Sequence, residues 1–177
     1  MYRYYIGIDC GVNTGYAVYD CEKRKFTCLD IVMIHQAMNA VLSLKKQSDH
    51  VDFVVVIEDA RQIRFGTDPK KAQGAGSVKR DCKIWEDFCI DYDIPFMLVK
   101  PDSKKTKVPI ERFVKITGCT LSKSKETHDK DAALLVWDTQ ITEAKITLNN
   151  EQFVSDAGRK KMAQKYKVKI KNNALTS

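Results

Sequence analysis

Phe53-Val54-Val55-Val56-Ile57-Glu58 is the most continuous apolar run in the chain, and it ends on a carboxylate. A run of Val, Ile and Phe without polar alternation reads as a strand covered on both faces, at the centre of a sheet. Tyr4-Tyr5-Ile6-Gly7-Ile8-Asp9 repeats the pattern, an apolar segment closed by an acid. His128-Asp129-Lys130-Asp131 inverts it, placing two acids at the opening of the apolar run Ala132-Ala133-Leu134-Leu135-Val136. Three separate segments therefore carry acids at the edge of apolar structure. A carboxylate there is costly to desolvate without a partner, and a divalent cation is a common one. Each acid alone reads as an ordinary strand or helix cap; the set reads as a candidate metal site.

The other elements follow from the same patterning. Residues 3–9 predict a first strand, after which Gly11 and Gly15 punctuate a turn into a second over 16–19, and 25–30 complete a meander. Ile34, Ala37, Met38 and Val41 recur at helical spacing and predict a helix over 34–44. Residues 51–58 form the central strand. Asp68-Pro69 then predicts a helix start, with Val78, Cys82, Trp85 and Cys89 marking one apolar face. Gly74 and Gly76 lower the propensity of that helix and suit a close backbone approach. A strand over 94–99, a short helix over 109–117 stopped at Gly118, and a last helix over 128–139 complete the pattern. In that last helix Ala132, Leu135 and Thr139 are expected on one face. Strands first, then alternating helices and strands, predict an α/β domain with a mixed sheet flanked by helices.

The chain has 177 residues, 44% of them hydrophobic, which suits one core and is short for two. Residues 1–148 are expected to form the domain and 149–177 a basic C-terminal tail. No stretch approaches the roughly 18 apolar residues of a membrane span, and a cytoplasmic protein without membrane contact is expected. Six cysteines include no Cys-x-x-Cys pair, which argues against a structural zinc site. Cys82 and Cys89 read as small buried hydrophobes. The net charge is +7, of which the tail carries +5 from seven basic residues against Glu151 and Asp156. Such a segment suits phosphate contact or, equally, a solvated tail. Basic charge beside a set of acids points to a metal-dependent enzyme acting on nucleic acid.

The sequence resembles the RuvC family of Holliday-junction resolvases, within the ribonuclease H-like nucleases, over most of residues 4–137. The resemblance rests on Gly7-Ile8-Asp9-Cys10-Gly11 with Thr14-Gly15-Tyr16, Val56-Ile57-Glu58, Gly74-Ala75-Gly76, Lys100-Pro101 and His128-x-x-Asp131-Ala132. It implies a ribonuclease H-like mixed five-stranded sheet and Mg2+ or Mn2+, two ions per site, flanking a phosphodiester. It also implies that Asp9, Glu58 and Asp131 are the metal-binding carboxylates. His128 falls where the family has Asp or His, and it shares a helical face with Asp131 three residues on. Asp129 is a second candidate ligand, which a shifted register would exchange for His128. The implied partners are a branched DNA, a four-way junction cut on two strands, and a second copy of the chain. Cys10 stands where many relatives have Pro.

Many members carry an aromatic after the second acid; here the stretch is Asp59-Ala60-Arg61-Gln62-Ile63-Arg64-Phe65. Phe65 suits either stacking on a base or anchoring the loop, with Arg61 and Arg64 beside it for phosphates. Lys104, Lys105 and Lys107 form one basic group near the expected site, and Lys123, Lys125 and Lys130 another, from which a lysine at the scissile phosphate is expected. Rival readings are a nuclease for forks, flaps or structured RNA, and a non-catalytic junction-binding protein. An ATPase module of the actin and sugar-kinase fold, suggested by Ile8-Asp9-x-Gly11 and Thr14-Gly15, needs two domains and more chain than this.

Overall fold

The computed structural model describes residues 2–47, 51–62, 69–101, 107–121 and 127–141, with helical side chains described over 76–91 and 128–137 in the second and last helices. Five strands form one mixed sheet: β1 (Tyr4–Asp9), β2 (Asn13–Asp20), β3 (Lys25–Met33), β4 (Phe53–Glu58) and β5 (Phe96–Val99), in the order β3-β2-β1-β4-β5. The meander β1-β2-β3 is antiparallel, whereas β4 and β5 run parallel to β1. Among the described residues four helices accompany them: α1 (Ile34–Lys46), α2 (Pro69–Asp91), α3 (Ile110–Thr117) and α4 (His128–Ile141), with a 3-10 turn at Ala60–Gln62.

The expected element order holds, and the differences lie at element ends. The second strand starts at Asn13 and the third runs to Met33, because Asn13 and Thr14 pair with Met33 and Val32 beyond the apolar core. The last strand starts at Phe96, since Pro95 has no N–H for a ladder and contributes its carbonyl to Val55 N instead. Helix α2 begins at Pro69, while its expected cap Asp68 lies outside the described residues. A Cβ on Gly76 would meet nothing within 4 Å, so the close approach expected there is absent among the described residues.

Both sheet faces are covered, as the β4 run predicts. Ile6, Ile8, Val55 and Ile57 pack with Ala37 and Val41 of α1 and Cys82, Trp85 and Cys89 of α2. Tyr5, Val54 and Val56, on the alternate positions, pack with Phe113 of α3 and Ala132–Val136 of α4. The one-faced pattern expected of the last helix is replaced by burial of five consecutive residues, Ala132 to Val136. A helix apolar all round is one enclosed on several sides.

Because β1 and β4 are apolar on both faces, burial alone does not fix which face of the sheet each side chain meets. Two glycines do. A Cβ on Gly7 would stand 2.0 Å from the Ala132 carbonyl oxygen, and one on Gly15 would stand 1.9 Å from that of His128. Helix α4 thus rests directly on β1 and β2, and a one-residue slip would drive Ile6 or Ile8 into its backbone.

Candidate active site

Strand parity and helix docking together assemble the acids. Asp9 follows Tyr5 and Gly7 on alternate positions of β1, and Glu58 follows Val54 and Val56 on β4, so both belong to the face that α4 covers. The strands are neighbours, paired through Ile8 and Ile57, the residues just before the two acids. Helix α4 begins at this end of the sheet. Its first residue is His128, whose carbonyl touches Gly15, and Gly15 is the β2 partner of Asp9. This approach brings His128 Nδ1 to 2.8 Å from Asp9 Oδ2. The His128 side chain is 46% exposed and that of Asp9 14%, which places the pair at the floor of an accessible surface.

Asp131 lies one helical turn further. Its N–H donates to the Thr127 carbonyl at 2.9 Å, and the Thr127 hydroxyl reaches its Oδ2 at 3.5 Å. Burial pushes the Asp131 carboxyl up from its ordinary range, the charge of Asp9 adds to the rise, and Lys130, His128 and the Thr127 hydroxyl oppose it. Asp131 Oδ1 is buried and has no hydrogen-bond partner among the described residues. Glu58 is half-buried; its backbone carbonyl accepts from Cys82 Sγ of α2 at 3.2 Å. The Cys10 thiol feels the charges of both Asp9 and Glu58, which places all three at one end of the sheet. The Cys10 and Cys82 thiols influence each other's ionisation beneath this end, raising the pKa of Cys10 and lowering that of Cys82.

Three further expectations meet their surroundings here. Asp129 is fully buried and accepts from Lys130 N at 2.8 Å, whereas its neighbour His128 reaches Asp9. Lys130, grouped above with candidate phosphate contacts, is only 3% exposed and donates to the Val108 carbonyl at 3.1 Å, so it is an internal cation rather than a surface one. Arg61 is likewise turned inward. Its Nε and Nη1 donate to Asp59 Oδ1 and to Glu86 Oε2, each at 2.5 Å, and Glu86 is fully buried. Burial works against the Arg61 charge, but these two carboxylates outweigh it and hold the guanidinium firmly protonated. The clamp fixes the turn that follows Glu58 onto α2.

Lys107 is exposed, next to Val108. Arg64, Phe65, Lys104, Lys105, Lys123, Lys125 and the whole 149–177 segment lie outside the described residues. Sequence reasoning passed over Asp59, Glu86, Thr127 and the burial of Lys130. Glu86 left one signal, an acid directly beside Trp85 on the apolar face of α2, where an unpaired charge is costly.

Among the described residues, no three His, Cys, Asp or Glu side chains close around a common point as a finished metal cage would. The donors are nonetheless of the right kind: carboxylate oxygens and one imidazole suit Mg2+ or Mn2+, and the repulsion between Asp9 and Asp131 is what a cation would relieve. Asp9, Glu58, Asp131 and His128 are therefore the residues that could hold one.

No helix among the described residues is long and apolar enough to cross a membrane. No family model matches the sequence, and no curated protein matches it. A solved structure does: T. thermophilus RuvC in complex with Holliday junction substrate superposes with a TM-score of 0.52 at 15% identity, covering 80% of this chain and 95% of that one. The likeness is one of fold, and this chain's antiparallel meander, extended by two parallel strands and flanked by helices, is the ribonuclease H-like α/β fold.

Proposed function

We propose that this chain is a metal-dependent endonuclease that resolves four-way DNA junctions by paired, symmetric hydrolysis of phosphodiesters, working as a homodimer in the cytoplasm. The observation that carries the reading is the placement of Asp9 and Glu58 on adjacent central strands, under a helix whose first turn brings His128 onto Asp9 and Asp131 beside it. Its substrate is argued from the fold shared with a protein solved on a Holliday junction. Fold alone does not carry activity, so the acids bear the weight.

A divalent cation held by Asp9, Glu58 and Asp131 would supply Lewis-acid polarisation of the phosphate and charge neutralisation at the departing 3′ oxygen. The chain's own groups do the rest. Asp9 Oδ2 orients the His128 ring through Nδ1, and in the tautomer with the proton on Nδ1 the basic nitrogen is Nε2 on a half-exposed ring. That nitrogen suits taking a proton from the attacking water. Water adds to phosphorus, the P–O3′ bond breaks, the 3′ oxygen takes a proton from solvent, and the products are a 5′ phosphate and a 3′ hydroxyl. Exposed Lys107, and the basic residues of 102–106, 122–126 and 149–177, would meet the backbone. Two cuts on opposed strands require two sites, which a two-fold pair of chains supplies.

The test is cleavage of a labelled four-way junction beside a linear duplex of the same sequence, with Mg2+, with chelator, and with Asp131→Asn. Paired, metal-dependent cuts confined to the junction are expected. Equal cutting of both substrates would sink the junction reading, and metal-independent binding without cutting, unchanged in the variant, would make the protein an architectural one.

A further inference from the structure

We propose that Lys130 is a positioning residue, which holds Asp131 in its ligating orientation and ties the first turn of α4 to the Lys107–Val108 segment. The inference rests on the nuclease reading above and extends it to a residue outside the acid set. A lysine 3% exposed is rare unless its charge is matched, because the ammonium loses its water. Its partners include a carbonyl and a carboxylate. Lys130 Nζ donates to the Val108 carbonyl at 3.1 Å and stands 3.7 Å from Asp131 Oδ1.

That oxygen is the one with no hydrogen-bond partner among the described residues. Its nearest compensation is the lysine's charge, which faces it from within the protein and draws Oδ1 inward. The other oxygen, Oδ2, has the long 3.5 Å contact with the Thr127 hydroxyl among the described residues, and is the oxygen we assign to a cation. Without the ammonium, the buried oxygen gains by turning outward to water, and the carboxylate loses its preset direction. The same Nζ fixes Val108, immediately before Pro109 at the start of α3, and so fixes the backbone beside exposed Lys107. One buried cation thus couples a ligand to a segment suited to phosphate.

The experiment is calorimetric Mn2+ binding to the full chain for wild type, Lys130→Met, Lys130→Gln and Lys130→Arg, with metal-free melting as a check on folding. Supporting partners of metal ligands typically alter affinity about 10–100-fold. The expected result is Mn2+ binding weakened by about 10-fold or more in Lys130→Met and Lys130→Gln and restored towards wild type in Lys130→Arg. A lysine that merely packs predicts the opposite, since removing a nearby positive charge would leave cation binding unchanged or tighter. That outcome in a folded Met or Gln variant overturns the proposal while leaving the nuclease reading intact. Should Lys130→Met not fold, Lys130→Gln, which keeps a donor for Val108, decides. A wild type that binds no Mn2+ overturns both the metal site and this role.

Discussion

His128 Nδ1 and Asp9 Oδ2 lie 2.8 Å apart, although 119 residues separate them in the chain. The contact joins the end of a central strand to the start of the last helix, and it exists because Gly15 lets the His128 carbonyl sit where a side chain would otherwise be. Neither residue could reach the other from a helix raised by one methyl group. The pair therefore reports on docking as well as on chemistry.

Replacing His128 tests its chemistry. His128→Ala removes both the orientation of Asp9 and the proton acceptor, and junction cleavage should fall by about 100-fold or more. His128→Asp, the other residue that the RuvC-like pattern allows, should retain most of the activity, with a shifted pH dependence. Equal losses in the two variants would assign the position to packing.

Gly15 and Gly76 make opposite predictions for the same substitution. Gly15→Ala forces a methyl into the His128 backbone and should cost about 1–3 kcal/mol or more, together with loss of the Asp9–His128 contact. Gly76→Ala, on an open helix surface, should gain about 0.5–1 kcal/mol from helix propensity. Chemical denaturation of both variants checks the pair. A destabilised Gly76→Ala would indicate that a second chain approaches α2 there.

How far the sequence could be read depends on which forces are local. The acids at the ends of Phe53–Glu58 and Tyr4–Asp9, and the helical spacing of Val78, Cys82, Trp85 and Cys89, are patterns within one element, and the corresponding elements are found. The inward turn of Arg61 is not local, because it depends on Glu86, 25 residues away across a helix that the chain alone does not orient. Lys130 was obscured for a similar reason. Its neighbours Asp129 and Asp131 make the stretch look solvated, and only the docking of α4 shows it buried. Asp9 and His128 could be paired through a family resemblance; the distance between them could not be read from spacing.

Asp131 should make the metal-free protein's stability depend on pH. Its folded pKa is raised, chiefly by burial, so the folded state holds the proton more tightly than the unfolded chain does. Above the folded value both states are ionised and the penalty is fully present; below the ordinary carboxylate value both are protonated and it is gone. Stability from this group therefore rises as pH falls through that window. Asp131→Asn should melt higher than wild type at pH 7 without metal, and the difference should shrink in acid. Divalent cation should reverse the ranking, since a ligand at 100 times its Kd adds about 2.7 kcal/mol only where it binds.

Arg61 separates a structural cation from a DNA-binding one. With its guanidinium between Asp59 and fully buried Glu86, Arg61→Ala takes the closest cation from a buried carboxylate and leaves Lys83 3.8 Å from it, where breaking a buried pair outright costs about 3–5 kcal/mol. The partial exposure of Arg61, 25%, places the expectation at the lower end of that range. Adding Glu86→Gln to Arg61→Ala should recover part of the loss, because the buried carboxylate that lost its closest cation is then neutral. A phosphate contact behaves differently: its removal would make the slope of log affinity against log salt shallower by about 0.9 on duplex arms. The expected result is a large drop in stability with an unchanged salt slope, measured with the junction below the melting temperature of the variant. A shallower slope with wild-type stability would return Arg61 to the DNA surface.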